Sequence, residues 1–554
     1  MRRLTAIGSL ITAGLLAAAC SAGAGPSGNG TAAAKNVVTI SNENGALWTC
    51  QFSPFNGSDT LLSVGFVYET LAYDNPLQSG KTTPMLASSW QWGAGNKSIT
   101  FTIRKGVKFS DGTPMSAADV VFTFNLLKKY PALDLTGVWS VLSSVTQSGS
   151  DQVVMDFKSA AVPAFYFIAG QTPIVPAHIW SKIANPVSYP DSNPVGTGPY
   201  KVNPCTKANI TYTANPHYWQ PGLPKVTKVQ YPAFTSNNTA NDQLANGQAQ
   251  WGSQYIPSIK SFYTAKSPSF HYWFPPTVNV SLVPNLKNPL LSNVKVRQAM
   301  SEAIDRAKVS SIGESGYEPP ANQAGIVTPT FSSWLNSSLI SKYHYSYDPA
   351  KAKQILESAG FKMGSDGIMA NSKGQKLSFS VINIGDYSDW VASMQVVAQN
   401  LKAVGIQVTP DNLSNTDFTA SLYTGKYQLA FYDQQTFGPS PYYELNNWLN
   451  SADTAPIGKV AATNYERYSS PTTEALLNAY AATTSTATQQ SIMNQIQQVM
   501  VTDVPIIPVV EAVDWYQYDT ASFSGWPTPS DPYAQPSAYA YPDMEQVLLH
   551  LSPK

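Results

Sequence analysis

The stretch FTIRKGVKFSDGTPMSAADVVFTFN, residues 101–125, decides the fold of this chain. Residues 101–109 alternate apolar and polar side chains and predict extended structure that is broken at Gly106. Asp111-Gly112 then predicts a turn, because glycine adopts positive φ without a Cβ penalty. The first half of the stretch therefore indicates a strand that leads into a tight turn.

The second half predicts a capped helix. Ser116 stands three residues before Asp119, which is an acidic form of the capping box. Apolar residues then recur at helical spacing and define one buried face. These residues are Ala117, Val120, Val121, Phe124 and Leu127. Strand, turn and helix follow one another with almost no spare residues, so the stretch indicates a structural αβ unit without catalytic chemistry.

Further strands and helices follow the same periodicities. The period falls towards two between Trp139 and Phe157, which predicts a β-hairpin. Leu377 to Ile382 predicts a strand, Trp390 to Val404 an amphipathic helix, and residues 405–408 a return to extended structure. This order is typical of a crossover unit in a mixed sheet, so the chain is predicted to be α/β.

Length and charge limit the possible classes of protein. A chain of 554 residues is too long for one hydrophobic core and should divide into lobes. Its 34 basic and 34 acidic residues cancel, so the basic surface that nucleic-acid binders need is absent from the composition. Aromatic residues make up 12% of the chain, which suits a polar-aromatic cavity and suits core packing equally well.

The N-terminus predicts export. Arg2 and Arg3 precede a short apolar run, and small residues lead to Cys20, as in a secretory signal peptide that occupies residues 1–19. The arrangement resembles a bacterial lipoprotein signal, in which the cysteine becomes the lipidated first residue. The pattern departs from that signal at Ala17, where leucine is preferred. Residues 20–36 are rich in Ala, Gly and Ser and predict a flexible tether.

Arg104 to Val120 closely resemble the signature of the family 5 extracellular solute-binding proteins, the dipeptide- and oligopeptide-binding receptors of ABC importers. Other segments resemble the same family in the same order, over about residues 37–515. These segments are Pro84 to Trp90, Ile174 to Trp180, Asn193 to Tyr200, Asn215 to Trp219, Asn293 to Arg306 and Asp503 to Val509.

The resemblance implies a bilobal, periplasmic-binding-protein-like α/β fold of class II, with mixed sheets and two lobes joined by a hinge. The first lobe is expected to comprise residues 37–277 together with a C-terminal return, residues 506–554. The second lobe is expected to comprise residues 278–505. The ligand would be captured between the lobes and delivered to a membrane permease that is driven by ATPase subunits.

The implied protein is a monomeric binding protein without a cofactor, held on the extracytoplasmic face of the cell membrane by a lipid. Sequence motifs for catalysis agree with that reading, since the chain contains no HExxH, G-x-S-x-G, Walker A or C-x-x-C motif. The histidines lack metal-ligand spacing, and His178 beside Trp180 is interpreted as a packed core residue. A secreted hydrolase remains a distant alternative.

Peptide is the ligand that the resemblance favours. The loop from Phe431 to Tyr443 resembles the region where family members capture a peptide amino group with an acidic side chain. The expected ligand contacts from the second lobe are Asp433, Gln434 and Gln435. The expected aromatic contacts from the first lobe are Phe55, Trp251 and Trp273.

Two departures leave a neutral ligand open. The anchor loop has Ser440-Pro441 where peptide binders typically have Asp-Pro. Residues 246–251, NGQAQW, lack the acidic residues that relatives often carry there. Both changes remove negative charge from loops expected to face the cleft, so an oligosaccharide is the alternative ligand.

Two cysteines lie in the expected first lobe. In an exported protein Cys50 and Cys205 could pair or could remain two buried thiols. We predict the disulfide, because both residues belong to segments assigned to the same lobe.

Overall fold

Residues 101–125 form the expected strand, turn and capped helix in a computed structural model, which describes residues 36–42, 46–434 and 437–554. Ser98–Ile103 is a strand, and Gly112 adopts a φ of +90° in the turn that follows. The Ser116 side chain accepts from the Ala118 amide, while the Ser116 amide donates to Asp119 Oδ2 at 2.9 Å. The predicted capping box is therefore confirmed.

Strands and helices are numbered in chain order. The seven-stranded sheet has the spatial order β12 (Phe270–Tyr272), β20 (Gln517–Asp519), β11 (Trp251–Gly252), β1 (Val37–Ser41), β10 (Lys228–Pro232), β9 (Asn209–Ala214), β8 (Tyr200–Cys205). The five-stranded sheet has the order β17 (Gln407–Leu413), β16 (Ser378–Ile384), β18 (Leu429–Asp433), β13 (Pro276–Pro284), β19 (Ile507–Val513). The four-stranded sheet has the order β4 (Ala87–Trp92), β5 (Ser98–Ile103), β7 (Gln152–Phe157), β6 (Leu142–Ser148).

Three pairs of short strands complete the β structure: β2 (Ala72–Asn75) with β3 (Lys81–Pro84), β14 (Lys362–Met363) with β15 (Met369–Ala370), and β21 (Phe523–Ser524) with β22 (Ser552–Pro553). The α-helices are α1 (Thr60–Ser63), α2 (Ala117–Lys129), α3 (Ala177–Trp180), α4 (Asn237–Ala245), α5 (Ile259–Phe262), α6 (Val294–Ala303), α7 (Arg306–Lys308), α8 (Ser337–Tyr343), α9 (Pro349–Ser358), α10 (Ser388–Ala403), α11 (Asn415–Thr424), α12 (Tyr442–Leu449), α13 (Pro471–Ala481), α14 (Thr486–Asp503) and α15 (Asp543–His550).

Two large hydrophobic cores organise these elements. The first core takes its buried residues from Val38 to Trp251 and again from Tyr516 to Leu551, and it underlies both the seven-stranded and the four-stranded sheet. The second core takes its buried residues from Val280 to Val510 and underlies the five-stranded sheet. The first core is therefore built from both ends of the folded chain, and the fold is the bilobal mixed α/β fold that was predicted.

The two sheet patterns predicted from periodicity are confirmed. β6 and β7 pair antiparallel as a hairpin. β16 and β17 pair parallel, and α10 connects them, so this segment is a β–α–β crossover. Parallel neighbours require such a connection, because a tight turn can join only antiparallel strands.

The chain passes between the cores twice, in adjacent segments. The Asp514 amide donates to the Pro275 carbonyl oxygen at 2.9 Å, and the Trp273 amide donates to that of Tyr516 at 3.1 Å. The lobe boundaries expected at 277/278 and 505/506 remain a proposal. β19 lies after the second of these boundaries, yet it pairs with β13 of the five-stranded sheet. The chain therefore returns to the first core only after Val513.

Cys50 and Cys205 form a disulfide in the first core, with Cα atoms 5.8 Å apart and a sequence separation of 155. The alternative of two free thiols is thereby removed for these residues. The bond ties the loop after β1 to the end of β8, and both half-buried cysteines pack against the first core.

Candidate ligand-binding site

The two cores touch through a pair of tyrosines that cross the interface in opposite directions. Tyr443 Oη, from α12, donates to the Pro163 carbonyl oxygen at 2.9 Å. Tyr166 Oη donates in return to the Phe437 carbonyl oxygen at 3.0 Å. The two rings meet edge to face, with centroids 5.1 Å apart. Both hydroxyls are therefore engaged by main-chain oxygens of the opposite side.

Main-chain contacts strengthen this edge of the interface. The Val162 amide donates to the Ala481 carbonyl oxygen at 2.8 Å. Gly80 lies so close to Pro439 that a Cβ on the glycine would be 2.7 Å from the proline Cβ. The structure thus has this edge closed, and glycine is required at position 80 for the approach.

A cavity of about 340 Å³ lies behind these contacts and is lined from both sides, so we call it the aromatic cavity. Its rings are Trp90, Trp92, Phe165, Tyr166, Trp334, Tyr443 and Tyr480. Its polar side chains are Asp74, Ser79, Thr82, Ser440, Thr484, Thr486 and Gln489. None of the described lining residues is Lys, Arg or His. The cavity therefore presents aromatic walls and one negative charge.

Asp74 supplies that charge, and the β2–β3 hairpin positions it. Asp74 and Thr82 are cross-strand partners, and the Thr82 hydroxyl donates to Asp74 Oδ1. Asp74 Oδ2 is enclosed and accepts no hydrogen bond from the described part of the chain. A Cβ on Gly170 would lie 3.1 Å from this oxygen. Burial raises the pKa of the Asp74 carboxyl to about 6.

Asp433 ends β18, where it lies opposite Val280 of β13. Asp433 Oδ1 is enclosed and has no hydrogen-bond partner among the described residues. Burial raises the pKa of the Asp433 carboxyl to about 7. The neighbouring Gln434 is buried, and its Nε2 likewise has no partner there. Gln435 lies outside the described residues.

Three further carboxylates lie near Asp433. Burial is the largest cause that raises the pKa of the Glu318 carboxyl, and the negative charges of Glu314, Asp389 and Asp433 raise it further. Glu314 Oε1 accepts from Ser393 Oγ at 2.5 Å, which places it against α10, whose first turn carries Asp389. None of the four carboxylates forms an ion pair within the described residues. The burial and proximity of these carboxyl groups oppose their ionisation, and a positively charged group placed among them would favour the ionised forms.

The aromatic contacts expected from the first lobe need correction. Phe55 is buried against Trp180, with ring centroids 5.4 Å apart. Trp251 is fully buried, and its Nε1 donates to the Pro536 carbonyl oxygen at 2.8 Å. Both rings belong to the first core, because large aromatic side chains serve core packing as readily as ligand binding. Trp273 is half-buried in a segment that passes between the cores.

Two more expectations need correction. Gln250 does not line a cleft: it is buried, and its Oε1 accepts from the Thr39 amide at 2.9 Å. His178 is not a packed core residue, since a third of its side chain is exposed and its Nε2 lies 2.8 Å from Asp111 Oδ2. Both residues stabilise loops through polar contacts that local sequence does not reveal.

A second cavity, of about 450 Å³, is rich in amides. Its lining includes Asn237, Asn241 and Asp242 of the α4 segment, together with Tyr255. Ser388, at the start of α10, lines it from the other side. Its aromatic lining consists of Tyr255 and Phe262, far fewer rings than line the first cavity.

Sequence reasoning missed the lining of the aromatic cavity. One signal was present: Trp90 and Trp92 are two residues apart on β4 and are both half-buried, so both side chains lie on one face of the sheet. Asp74 and Tyr443 are 369 positions apart, and no local pattern relates them.

The described residues contain no group of three or more His, Cys, Asp or Glu that could hold a metal ion. No helix among them is long and apolar enough to span a membrane.

Comparison with known sequences places the chain in a family. The sequence profile of the bacterial extracellular solute-binding proteins, family 5, matches residues 81–456, which is more than half of the chain. The glutathione-binding protein GsiB of Salmonella paratyphi A is 26% identical over 388 residues, covering 68% of this chain and 69% of that protein. GsiB of Salmonella typhimurium is 27% identical over 345 residues, covering 60% and 63%.

Comparison with solved structures agrees. A periplasmic oligopeptide-binding protein of an oligopeptide ABC transporter from Thermotoga maritima has a TM-score of 0.85 and 26% identity, covering 94% of this chain and 99% of that one. The mannohexaose-bound form of that Thermotoga protein has a TM-score of 0.79 with the same identity and coverage. The oligopeptide-binding protein AppA of Bacillus subtilis, in complex with a nonapeptide, has a TM-score of 0.71 at 20% identity, covers 94% and 99% of the two chains, and shares the fold.

Proposed function

Because this chain belongs to the family 5 bacterial extracellular solute-binding proteins, we propose that it is the extracytoplasmic substrate-binding component of an ABC import system. The family and the fold are those of substrate-binding transport proteins. The protein would bind its ligand between the lobes as a monomer and present the closed form to a membrane permease with ATPase subunits.

Ligand binding would act by stabilising the closed arrangement. Only a ligand that contacts the closed form better than the open form can shift the equilibrium between them. Buried polar atoms on the second-core side, including Asp433 Oδ1 and Gln434 Nε2, have no hydrogen-bond partner among the described residues. Ligand groups that satisfy these atoms would supply the required difference in affinity.

The proposed ligand is a peptide, and the unpartnered carboxylate of Asp433 is the observation that carries this proposal. A peptide amino group has three N–H donors and a positive charge, so it would satisfy Asp433 Oδ1 and offset the negative charge of the neighbouring carboxylates. A charge-assisted hydrogen bond of this kind contributes about 1.5–3 kcal/mol.

The test is titration calorimetry of a peptide panel against the wild type and Asp433→Asn. We expect the variant to bind peptides about tenfold to a hundredfold more weakly. Asp411→Asn is the matched control, because Asp411 lies on β17 of the same sheet and is exposed. Peptide affinity that is equal in all three proteins would exclude Asp433 as the anchor.

A neutral oligosaccharide is the second candidate. The aromatic cavity favours it, because several half-buried rings, including Trp90 and Trp92, suit stacking against sugar rings. The mannohexaose-bound form of the Thermotoga protein supports the same reading. An oligosaccharide panel measured beside the peptides separates the candidates: binding of sugars alone would exclude the peptide assignment.

We also propose that Cys20 carries the lipid that anchors the protein to the extracytoplasmic face of the cell membrane. Support comes from the sequence of residues 1–20 and from membership of an extracellular family; Cys20 lies outside the described residues. In cell fractionation, Cys20→Ala should move the protein from the membrane fraction to the soluble one. A variant that stays in the membrane fraction would contradict the anchor.

A further inference from the structure

We propose that the aromatic cavity is a subsite for a positively charged side chain, lysine or arginine, of the bound peptide, with Asp74 as its counter-ion. This inference rests on the proposed peptide function and specifies which peptides the protein prefers. Asp433 would bind the amino terminus, and the aromatic cavity would bind a basic side chain further along the ligand.

The hydrogen bonding of Asp74 is incomplete. The residue is 5% exposed, and its Oδ1 is occupied by the Thr82 hydroxyl. Its Oδ2 lacks a partner among the described residues, although the residue lines the cavity. A buried carboxylate oxygen without a donor is costly, so a donor that enters the cavity would be strongly favoured.

The nearby tyrosine hydroxyls do not donate to Asp74. Tyr166 and Tyr443 lie close enough that its negative charge contributes to raising the pKa of both phenols, after burial itself. Yet the hydroxyl of Tyr166 donates to Phe437 and that of Tyr443 donates to Pro163. Both hydroxyls therefore donate across the interface and not to Asp74, so Asp74 Oδ2 can accept from a ligand.

The charge of the cavity also favours a cation. The described lining contains no basic side chain, and Asp543 adds a second negative charge within range of Asp74. A neutral ligand could donate to Asp74 Oδ2 but would leave this negative charge uncompensated. A lysine or arginine side chain would supply the donor and the compensating charge together.

The aromatic wall of the cavity suits a cation as well. Aromatic ring faces attract cations within about 6 Å of their centroids. Trp90 packs against Phe165 with centroids 5.0 Å apart, and Tyr480 stacks on Tyr442 at 4.3 Å. These ring contacts hold the aromatic side chains in place, so the ring faces remain available to a cation in the cavity. A volume of about 340 Å³ lies at the lower end of the range for ligand pockets, which suits one long side chain.

Asp433 and part of the lining of the aromatic cavity lie on one loop, which limits the length of the ligand between the two proposed contacts. Asp433 ends β18, and Pro439 lines the aromatic cavity six residues later. Six residues span at most about 20 Å when fully extended. A peptide bound at Asp433 by its amino terminus would therefore reach the cavity within about six residues.

The experiment is a positional series of alanine hexapeptides. Each carries one lysine at position 2, 3, 4, 5 or 6, and its control carries norleucine at the same position, which keeps the length and removes the charge. Affinities are measured by calorimetry at pH 7 for the wild type, Asp74→Asn and Asp433→Asn. Asparagine preserves an acceptor for Thr82, so Asp74→Asn changes chiefly the charge.

We expect one position at which the wild type binds the lysine peptide at least about tenfold more tightly than the norleucine peptide. Asp74→Asn should remove most of that preference and leave norleucine peptides within about twofold. Asp433→Asn should weaken both members of every pair alike, because it acts on the amino terminus.

The contrary outcomes are separate for the two proposals. If the wild type binds peptides but prefers lysine over norleucine at no position, the basic subsite is wrong and the peptide function stands. The wild-type protein alone is enough for this test. Equal losses for lysine and norleucine peptides in Asp74→Asn would overturn the role of Asp74. Absence of any peptide binding would overturn the proposed function and this inference with it. Sugar binding that Trp90→Ala abolishes and Asp74→Asn preserves would assign the cavity to carbohydrate.

Discussion

The interior of the first core and the face where the two cores meet both contain buried aspartates, and the two groups differ in their partners. In the first core, Asp543 Oδ1 accepts from Tyr73 Oη at 2.7 Å and from the Gln535 amide at 2.9 Å. Asp74 at the interface and Asp433 at the end of β18 each keep one enclosed oxygen without a partner among the described residues. Burial raises the pKa of all three carboxyls, to about 6 for Asp74 and about 7 for Asp433 and Asp543.

The difference separates two uses of a buried carboxylate. Where donors from the same chain meet it, the group links elements and stabilises the fold. Where a donor is missing, the group lowers the stability of the unliganded protein and gains from a ligand. The variants described next test whether partnered carboxylates stabilise the fold and whether unpartnered carboxylates lower the stability of the ligand-free protein.

The largest stability effect is expected inside the first core, from the disulfide. Cys50→Ala with Cys205→Ala should lower the free energy of unfolding by about 4–5 kcal/mol, because the bond closes a loop of 155 residues in the unfolded chain. Ligand affinity should not change. Urea unfolding and calorimetry measure the two quantities. Free thiols at Cys50 and Cys205 in the unfolded, non-reduced protein would contradict the bond.

The second effect concerns Asp543 directly. Asp543→Ala removes the acceptor from Tyr73 Oη and from the Gln535 amide and should cost about 2–4 kcal/mol of unfolding free energy. Asp531→Ala is the control, because Asp531 is exposed in the same C-terminal segment. Urea midpoints that are the same for both variants would show that the partnered aspartate does not stabilise the fold.

The third effect has the opposite sign and depends on pH. The pKa of Asp433 rises from 3.8 to about 7 on folding, so the folded state binds more protons between these values and stability falls as pH rises through this window. Asp433→Asn should therefore stabilise the ligand-free protein at pH 8 by roughly 1–3 kcal/mol and much less at pH 4. A gain of equal size at both pH values would contradict this titration.

The smallest effect is expected for Asp74. In Asp74→Ala the Thr82 hydroxyl can still donate to the Gly80 carbonyl oxygen, 3.2 Å away, so the change in unfolding free energy should stay below about 1 kcal/mol. At pH 5 the folded carboxyls of Asp74 and Asp543 are both protonated, so charge contributes equally to their two alanine variants. A loss for Asp74→Ala as large as that for Asp543→Ala would erase the distinction between the two regions.

The sequence by itself determined the local units and, through them, the family and fold class. The capping box of Ser116 and Asp119, the turn at Gly112 and the β16–α10–β17 crossover follow from residues that are neighbours in the chain. Such features depend on backbone preferences and on the period of apolar residues, which short windows of sequence contain. The resemblance of residues 104–120 to the family 5 signature then predicted the bilobal architecture.

Only the tertiary structure decided which polar and aromatic side chains meet at the interface. Trp251 and Trp90 are both tryptophans on strands, yet one is enclosed by the first core and the other lines the aromatic cavity. Asp74 and Asp543 are both buried aspartates, yet Asp543 Oδ1 accepts from Tyr73 Oη while Asp74 Oδ2 has no donor among the described residues. Burial and unmet hydrogen bonds are set by groups that lie hundreds of residues apart, so no local pattern in the chain encodes them.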